Sequence, residues 1–153
     1  MTEPIHVLLV EDSPASALLT QEALRDPRVP NRIHVVADGE EALRFLYREP
    51  PHVDAPRPDL VLLDLNLPKV DGREVLAAIK GDAKLKDIPV IVLTSSANPE
   101  DVEFVYRHQA AGYITKHADL DDYFTAIRLL KELWFNVMTL PEKDKAGTAE
   151  NSG

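Results

Sequence analysis

The 153-residue sequence contains no cysteine. A chain without cysteine can form no disulfide, no thiolate nucleophile, no cysteine-ligated zinc site and no iron–sulfur cluster. Its longest apolar runs are far shorter than a bilayer span, and the N-terminal residues MTEPIH lack the pattern of a signal peptide. We therefore expect a cytoplasmic protein that has no membrane partner.

The sequence is also poor in positive charge. It has 17 basic and 26 acidic residues, for a formal net charge of −9. Because affinity for nucleic acid depends on neutralising phosphates, this balance argues against a nucleic-acid partner. The five histidines show no metal-ligand spacing such as H-E-x-x-H. With 44% hydrophobic and 28% charged residues, the composition is that of one globular domain with a substantial core.

Apolar runs alternate with helical patterns five times along the chain, which predicts an α/β fold with a parallel sheet and crossover helices on both faces. We predict strands at 5–10, 33–37, 60–63, 88–94 and 112–115. Helices are predicted from 14 to about 25, after Asp38-Gly39, over about 73–81, from 99 onward, and from 119 to about 140. A proline-rich stretch at 49–58 forbids regular structure before the third strand.

Polar residues follow four of the predicted strands. These strand ends carry Glu11 and Asp12, Asp64, Thr94, and Lys116. In a parallel sheet of this kind ligands bind at the carboxyl ends of the strands, so these side chains should converge. Crowded carboxylates favour a hard cation, and Mg²⁺ suits them best because it accepts few carboxylates and completes its shell with water and phosphate oxygens. An aspartate beside Mg²⁺ can attack a phosphoryl group and form an acyl phosphate.

Four sequence motifs carry a family resemblance: VLLVEDS, LLDLNLPKVDG, VIVLTSS and GYITK. Over about residues 5–140 the chain resembles the receiver domains of two-component response regulators. The resemblance implies a flavodoxin-like, doubly wound five-stranded parallel sheet with strand order 2-1-3-4-5. It also implies a phosphoacceptor that receives its phosphoryl group from a histidine kinase and catalyses no reaction beyond its own phosphorylation and dephosphorylation.

The same resemblance implies a role for each matching residue. Asp64 is expected to accept the phosphoryl group, with Mg²⁺ held by Glu11, Asp12, Asp64 and the backbone carbonyl of Asn66. Thr94 and Lys116 match the switch hydroxyl and the lysine that senses phosphate. The remaining expected roles belong to the switch aromatic Tyr113 and to two side chains that tune dephosphorylation, Asn66 and Ser96.

One position departs from the family pattern, because His117 stands where receivers usually have a proline in a cis peptide. A cis bond before a non-proline residue costs about 3 kcal/mol, against roughly 0.5–1 before proline. We therefore favour a trans peptide between Lys116 and His117. The proline-rich insert and the long last helix also resemble those of the small regulators associated with phytochrome-type histidine kinases.

The last helix carries an apolar arc of roughly 180°, wider than the roughly 100° needed to face one core. One interpretation is a deeply packed helix that covers the edge of its own domain. The alternative is a homodimer in which a second copy covers the helix from about Leu130 onward. The expected interface residues are Leu130, Leu133, Trp134, Phe135, Val137 and Met138.

We expect a receiver domain over residues 1–141 and a disordered tail over 142–153, with no fused output domain. Signalling would then pass to a downstream protein that the sequence does not identify. Two other functions remain open. The first is a small Mg²⁺-dependent aspartyl-phosphate phosphatase, although Asn66 stands where such enzymes place an acidic residue. The second is an unphosphorylated, receiver-like dimerisation module.

Overall fold

A computed structural model describes residues 4–95, 98–116 and 119–134 of the chain. Along these residues strands and helices alternate in the order β1 (Ile5–Val10), α1 (Pro14–Leu24), β2 (Asn31–Val36), α2 (Gly39–Tyr47), β3 (Leu60–Leu63), α3 (Gly72–Gly81), β4 (Val90–Thr94), α4 (Pro99–Arg107), β5 (Gly112–Thr115) and α5 (Leu120–Leu133). The strands form one parallel sheet in the order β2-β1-β3-β4-β5. The predicted α/β fold, doubly wound and flavodoxin-like, is confirmed.

Two strands differ from their predicted bounds. The edge strand β2 spans Asn31–Val36 rather than the predicted 33–37. It begins earlier because Asn31 and Arg32, which are polar and precede the apolar run, pair with Ile5 and His6. The strand β4 begins at Val90 rather than at residue 88. Ile88 is fully buried, but its N–H donates to the carbonyl of Leu85 in a turn, so its burial does not make it part of the strand.

Each helix begins after a side chain that accepts a backbone N–H from the first turn, as expected of helix N-caps. These capping residues are Ser13, Asp38, Asp71, Asn98 and Asp119. At α3 the cap is reciprocal, since Asp71 caps the helix while the side chain of Glu74 accepts the N–H of Asp71. The caps fix the first turn of every helix at the carboxyl edge of the sheet.

The core has one hydrophobic cluster on each face of the sheet. On one face, the even-numbered residues of β1 pack against α2, α3 and α4. On the other face, the odd-numbered residues pack against α1 and α5. The central strand β3 (Leu60–Leu63) is fully buried, which explains why its sequence is a continuous aliphatic run.

Helix α5 divides its apolar residues between the core and the surface. Leu130 and Trp134 pack into the cluster with α1, and Trp134 is only 7% exposed. Leu129 and Leu133 are 66% and 52% exposed. Two of the expected interface residues, Leu130 and Trp134, are therefore largely covered by their own domain. Phe135, Val137, Met138, the predicted continuation to about 140 and the tail at 142–153 lie outside the described residues.

A buried charged residue also anchors α5. Lys131 is only 4% exposed, and its Nζ lies 3.2 Å from carboxylate oxygens of both Asp26 and Glu132. Hydrogen bonds from Arg28 lower the pKa of Asp26, so this carboxylate stays ionised beside the lysine. Among the described residues, no helix is both long and apolar enough to cross a membrane.

The proline-rich segment packs against the edge of the sheet through a row of rings. His52 packs on Phe45, and Phe45 packs on His34. The distance from His34 Nε2 to His6 Nδ1 is 3.0 Å. Because an N–H···N bond needs one donor and one acceptor, protonation of both rings would place two N–H groups face to face. Burial first, and then the charges of His6 and Arg32, lower the pKa of His34.

We predict that this pair makes stability depend on pH. A histidine with a lowered pKa in the folded state contributes its stability above its ordinary pKa of about 6.5 and loses it as the pH falls. Urea unfolding should therefore show a free energy of unfolding that decreases from about pH 7.5 to about pH 5.5. His34→Gln should flatten this dependence, and an unchanged slope in that variant would contradict the assignment.

Candidate metal centre

The candidate site lies at the carboxyl edge of the sheet, where β1, β3 and β5 end. Glu11 and Asp12 follow β1, Asp64 follows β3, and Lys116 follows β5. The order β2-β1-β3-β4-β5 places the ends of β1 and β3 side by side, and β4 alone separates β3 from β5. The fold thus brings together the acidic residues and the lysine that the sequence singled out.

Three carboxylates converge at this edge. One oxygen from each of Glu11, Asp12 and Asp64 lies within 4.8 Å of the other two. Glu11 and Asp64 are buried, at 3% and 7% exposure, whereas Asp12 is exposed. Oxygen-only donors of high charge density suit a hard divalent cation, and the exposed Asp12 leaves an approach from solvent. The donor set therefore fits a divalent metal ion.

Lys116 is the cationic partner of the two buried carboxylates. Its Nζ donates to Asp64 Oδ2 at 3.1 Å and makes a closer contact with Glu11 Oε1. Burial raises the pKa of Glu11, and the charge of Asp64 adds to that effect. For Lys116, burial favours the neutral amine, but the bonds to Glu11 and Asp64 outweigh it and raise the pKa. A metal ion would therefore compete with this ammonium group for the same oxygens.

The loop between β3 and α3 holds Asp64 in place. The Asn66 N–H donates to Asp64 Oδ1 at 3.2 Å, and the Gly72 N–H donates to the Leu65 carbonyl at 2.8 Å. A Cβ on Gly72 would collide with the Asp64 carbonyl oxygen and would lie 2.5 Å from Leu65 Cα. Gly72 allows this close backbone approach because it carries no Cβ.

The other predicted site residues occupy different positions around this centre. Thr94 is fully buried at the end of β4, and its carbonyl accepts the N–H of Lys116 at 2.7 Å. Tyr113 is half-buried and packs against the cluster formed with α2, α3 and α4. Asn66 is exposed directly beyond Asp64. Ser96 and His117 lie outside the described residues.

Two polar contacts near the site have no counterpart among the sequence motifs. Arg73 of α3 reaches Asp101 in the first turn of α4, with Nε and Nη2 at 2.9 and 2.7 Å from the same carboxylate oxygen. Thr20 of α1 and Tyr123 of α5 meet through their hydroxyl groups at 2.9 Å. The sequence shows only that Thr20 is a polar residue among apolar ones on α1. It does not indicate Tyr123 as the partner, since the two residues lie far apart along the chain.

The sequence is similar to proteins of a known family. Residues 7–128 match the response regulator receiver domain family. Response regulator Rcp1 of Synechocystis sp. is 44% identical over 138 residues, covering 90% of this chain and 94% of Rcp1.

Two solved structures extend the similarity to the fold. The phosphorylated cyanobacterial phytochrome response regulator RcpA has 47% identity and a TM-score of 0.87, covering 91% of this chain and 99% of that one. The Mn²⁺-bound form of Rcp1 has 44% identity and the same TM-score, covering 90% and 99%.

The close approach at Gly72 yields a prediction. Gly72→Ala should lower the free energy of unfolding by about 2 kcal/mol or more, because the new methyl group meets rigid backbone. It should also weaken Mn²⁺ binding by displacing Asp64. Urea unfolding and a Mn²⁺ titration measure the two effects.

Gly81→Ala provides the matched control. A Cβ at this last residue of α3 meets nothing within 4 Å. Stability should change by less than about 1 kcal/mol, toward greater stability, with Mn²⁺ binding unaltered. Equal effects of the two substitutions would contradict the role assigned to Gly72.

Proposed function

The chain belongs to the response regulator receiver family, and from that membership we propose that Asp64 accepts a phosphoryl group from the phosphohistidine of a histidine kinase. One observation carries the proposal. Asp64 shares a cluster with Glu11 and Asp12 and contacts the ammonium group of Lys116. A nucleophilic carboxylate, a cation-binding pair and a lysine are the groups that in-line phosphoryl transfer requires.

The proposed transfer follows from the chemistry of the groups. A carboxylate oxygen of Asp64 bonds to phosphorus while the P–N bond of the phosphohistidine breaks. The ring, protonated on its other nitrogen, leaves as neutral imidazole, and Asp64 becomes an acyl phosphate. Water later cleaves the acyl phosphate, which releases inorganic phosphate and regenerates the carboxylate. Glu11, Asp12, Asp64 and the backbone carbonyl of Asn66 would hold Mg²⁺, which neutralises charge on the phosphoryl oxygens.

Lys116 and Thr94 would respond to the new charge. Phosphorylation adds about −1.5 to −2 at Asp64, and Lys116 already lies 3.1 Å from that side chain. Thr94 would move to bond a phosphoryl oxygen, and Tyr113 would turn into the space that it leaves. Asn66 and Ser96 would tune the rate of dephosphorylation. The changed surface on α4, β5 and α5 would then bind a downstream protein.

The partners follow from the relatives. RcpA is described as a cyanobacterial phytochrome response regulator, and it is 47% identical to this chain. On that basis we assign a phytochrome-type histidine kinase as the phosphodonor. Membership of the receiver family supports the cytoplasm as the location. The kinase would supply the phosphoryl group, so the chain itself would act on no outside substrate.

A second copy of the chain would cover the outer face of α5. Leu129 and Leu133 are four residues apart on this helix and therefore lie on one face. Both are more than half exposed. The ion pair between Lys131 and Asp26 fixes this part of α5 against its own domain and leaves the two leucines outward. Phe135, Val137 and Met138 would extend the same interface.

The phosphoacceptor assignment predicts the response to beryllium fluoride, a phosphoryl mimic. With Mg²⁺ and beryllium fluoride, the parent protein should show shifted amide NMR signals near Asp64 and on α4, β5 and α5. Asp64→Asn should show none of these shifts, since the amide cannot replace the carboxylate. Asp54→Asn alters an exposed aspartate of the proline-rich segment and should respond like the parent. A normal response of Asp64→Asn would overturn the assignment.

The interface on α5 predicts an oligomeric state. Light scattering at micromolar concentration should give twice the chain mass of 17.0 kDa, and the pair Leu129→Gln and Leu133→Gln should shift the protein toward one chain. Leu18→Gln on α1 is the matched control, because Leu18 is also 66% exposed. A parent protein with the mass of one chain, with or without beryllium fluoride, would rule out the dimer.

A further inference from the structure

Two buried hydroxyl groups connect α1 and α5 beneath the candidate site. Tyr123 and Thr20 are 2% and 0% exposed, and their hydroxyl oxygens lie 2.9 Å apart. The hydroxyl of Thr20 also lies 2.8 Å from the carbonyl oxygen of Ser16 in the preceding turn. These contacts join the two helices through one hydrogen-bonded chain of three groups.

The direction of this chain follows from the count of protons. A threonine hydroxyl has one proton, and only the hydroxyl can donate to the Ser16 carbonyl. Thr20 therefore donates to Ser16 and accepts from Tyr123, which satisfies both buried hydroxyl protons. The opposite direction would leave the proton of Tyr123 without an acceptor in this chain, and a buried donor in that state costs about 1–3 kcal/mol.

Short stretches of chain link the pair to the residues that form the site. The Ser13 N–H donates to Glu11 Oε2 at 3.2 Å, and Ser13 caps the helix that carries Thr20. On the other side, the chain leaves Lys116 and enters α5 through its cap Asp119, whose carbonyl accepts the Tyr123 N–H at 3.3 Å. Thr20 thus sits on the helix that begins two residues after Asp12, and Tyr123 sits on the helix that begins four residues after Lys116.

The electrostatics agree with this proximity. Burial is the main cause that raises the pKa of Tyr123, but the charges of Lys116, Glu11 and Asp64 also act on its hydroxyl. These are the three groups that meet in the candidate site. The charged groups of the site therefore contribute, after burial and the bond to Thr20, to the electrostatic surroundings of this hydroxyl.

The hydrogen bond does what apolar packing between these helices cannot do. The remaining contact of α1 and α5 is largely apolar and includes Ala17, Leu24 and Ile127. Apolar burial is non-directional and permits small slides of one helix along the other, whereas a hydrogen bond requires a defined distance and angle. The pair thereby fixes the register between the helices themselves, while the ion pair of Lys131 with Asp26 holds the later part of α5 to the loop after α1.

We propose that Thr20 and Tyr123 are positioning residues that set the distance between the metal-binding pair Glu11 and Asp12 and the lysine Lys116. Both sides must be placed correctly for a cation and a phosphoryl group to be held together at Asp64. The inference rests on the proposed phosphoacceptor function and adds to it a role for two residues that touch neither metal nor phosphoryl group.

Tyr123→Phe is the cleanest probe. It removes one hydroxyl while Thr20 keeps its bond to Ser16, so no buried donor is stranded and stability should stay close to that of the parent. Thr20→Val removes the hydroxyl that accepts the Tyr123 proton, so the buried Tyr123 hydroxyl loses this acceptor and the variant should be less stable. Thr20→Ser keeps a hydroxyl at the same place and serves as the rescue control.

Two readouts separate positioning from stability: the Mn²⁺ dissociation constant and the rate at which a small acyl phosphate phosphorylates Asp64 at saturating Mg²⁺. In folded Tyr123→Phe we expect at least one of them to be impaired by about three- to tenfold, the equilibrium equivalent of one hydrogen bond. Thr20→Val should show the same defect, the double variant should add nothing further, and Thr20→Ser should behave like the parent.

The outcomes also distinguish this inference from the proposed function. If Tyr123→Phe is folded and both quantities stay within about twofold of the parent, the positioning role is wrong while the phosphoacceptor function stands. If the parent is not phosphorylated at Asp64, the proposed function fails, and Mn²⁺ affinity alone then decides whether the pair positions the carboxylates. If Tyr123→Phe is unstable, the double variant decides. A defect in the double variant equal to the sum of the defects of Tyr123→Phe and Thr20→Val would overturn the inference.

Discussion

The repulsion among three carboxylates at one edge of the sheet is the constraint around which the structure is organised. Glu11, Asp12 and Asp64 place negative oxygens within 4.8 Å of one another, two of them on buried residues. Such a cluster is stable only with a cation, and Lys116 provides one through its contacts with Glu11 and Asp64. A divalent ion or a phosphoryl group would change this balance, and the proposed conformational response rests on that change.

Much of this arrangement could be predicted because it depends on local sequence. The central strand β3 (Leu60–Leu63) is a continuous apolar run, and the polar residue Asp64 comes directly after it in the sequence. The beginning of β4 was mispredicted because Ile88 is buried in a turn rather than in the strand. The packing of Trp134 on its own domain was one of two open interpretations, and the contact of Tyr123 was not predicted, since each depends on a helix about a hundred residues away in sequence.

The residues with proposed roles lie on both faces of the sheet. Tyr113 packs on the side of α2, α3 and α4, where Arg73 also ties α3 to the first turn of α4. On the other side, α1 and α5 are joined by the Thr20–Tyr123 pair, and α5 presents Leu129 and Leu133. The helices on both faces begin at the edge of the sheet that holds the carboxylates, so under the proposed function a change of charge there would act on both faces.

The central claim is that Asp64 accepts a phosphoryl group with the help of a divalent ion. It is tested most directly by incubating the protein with Mg²⁺ and a small acyl phosphate, reducing the product with borohydride, and locating the modified residue by mass spectrometry. The account predicts one modification, at Asp64, that disappears when EDTA replaces Mg²⁺. Modification at another residue, or modification that persists without a divalent ion, would contradict it.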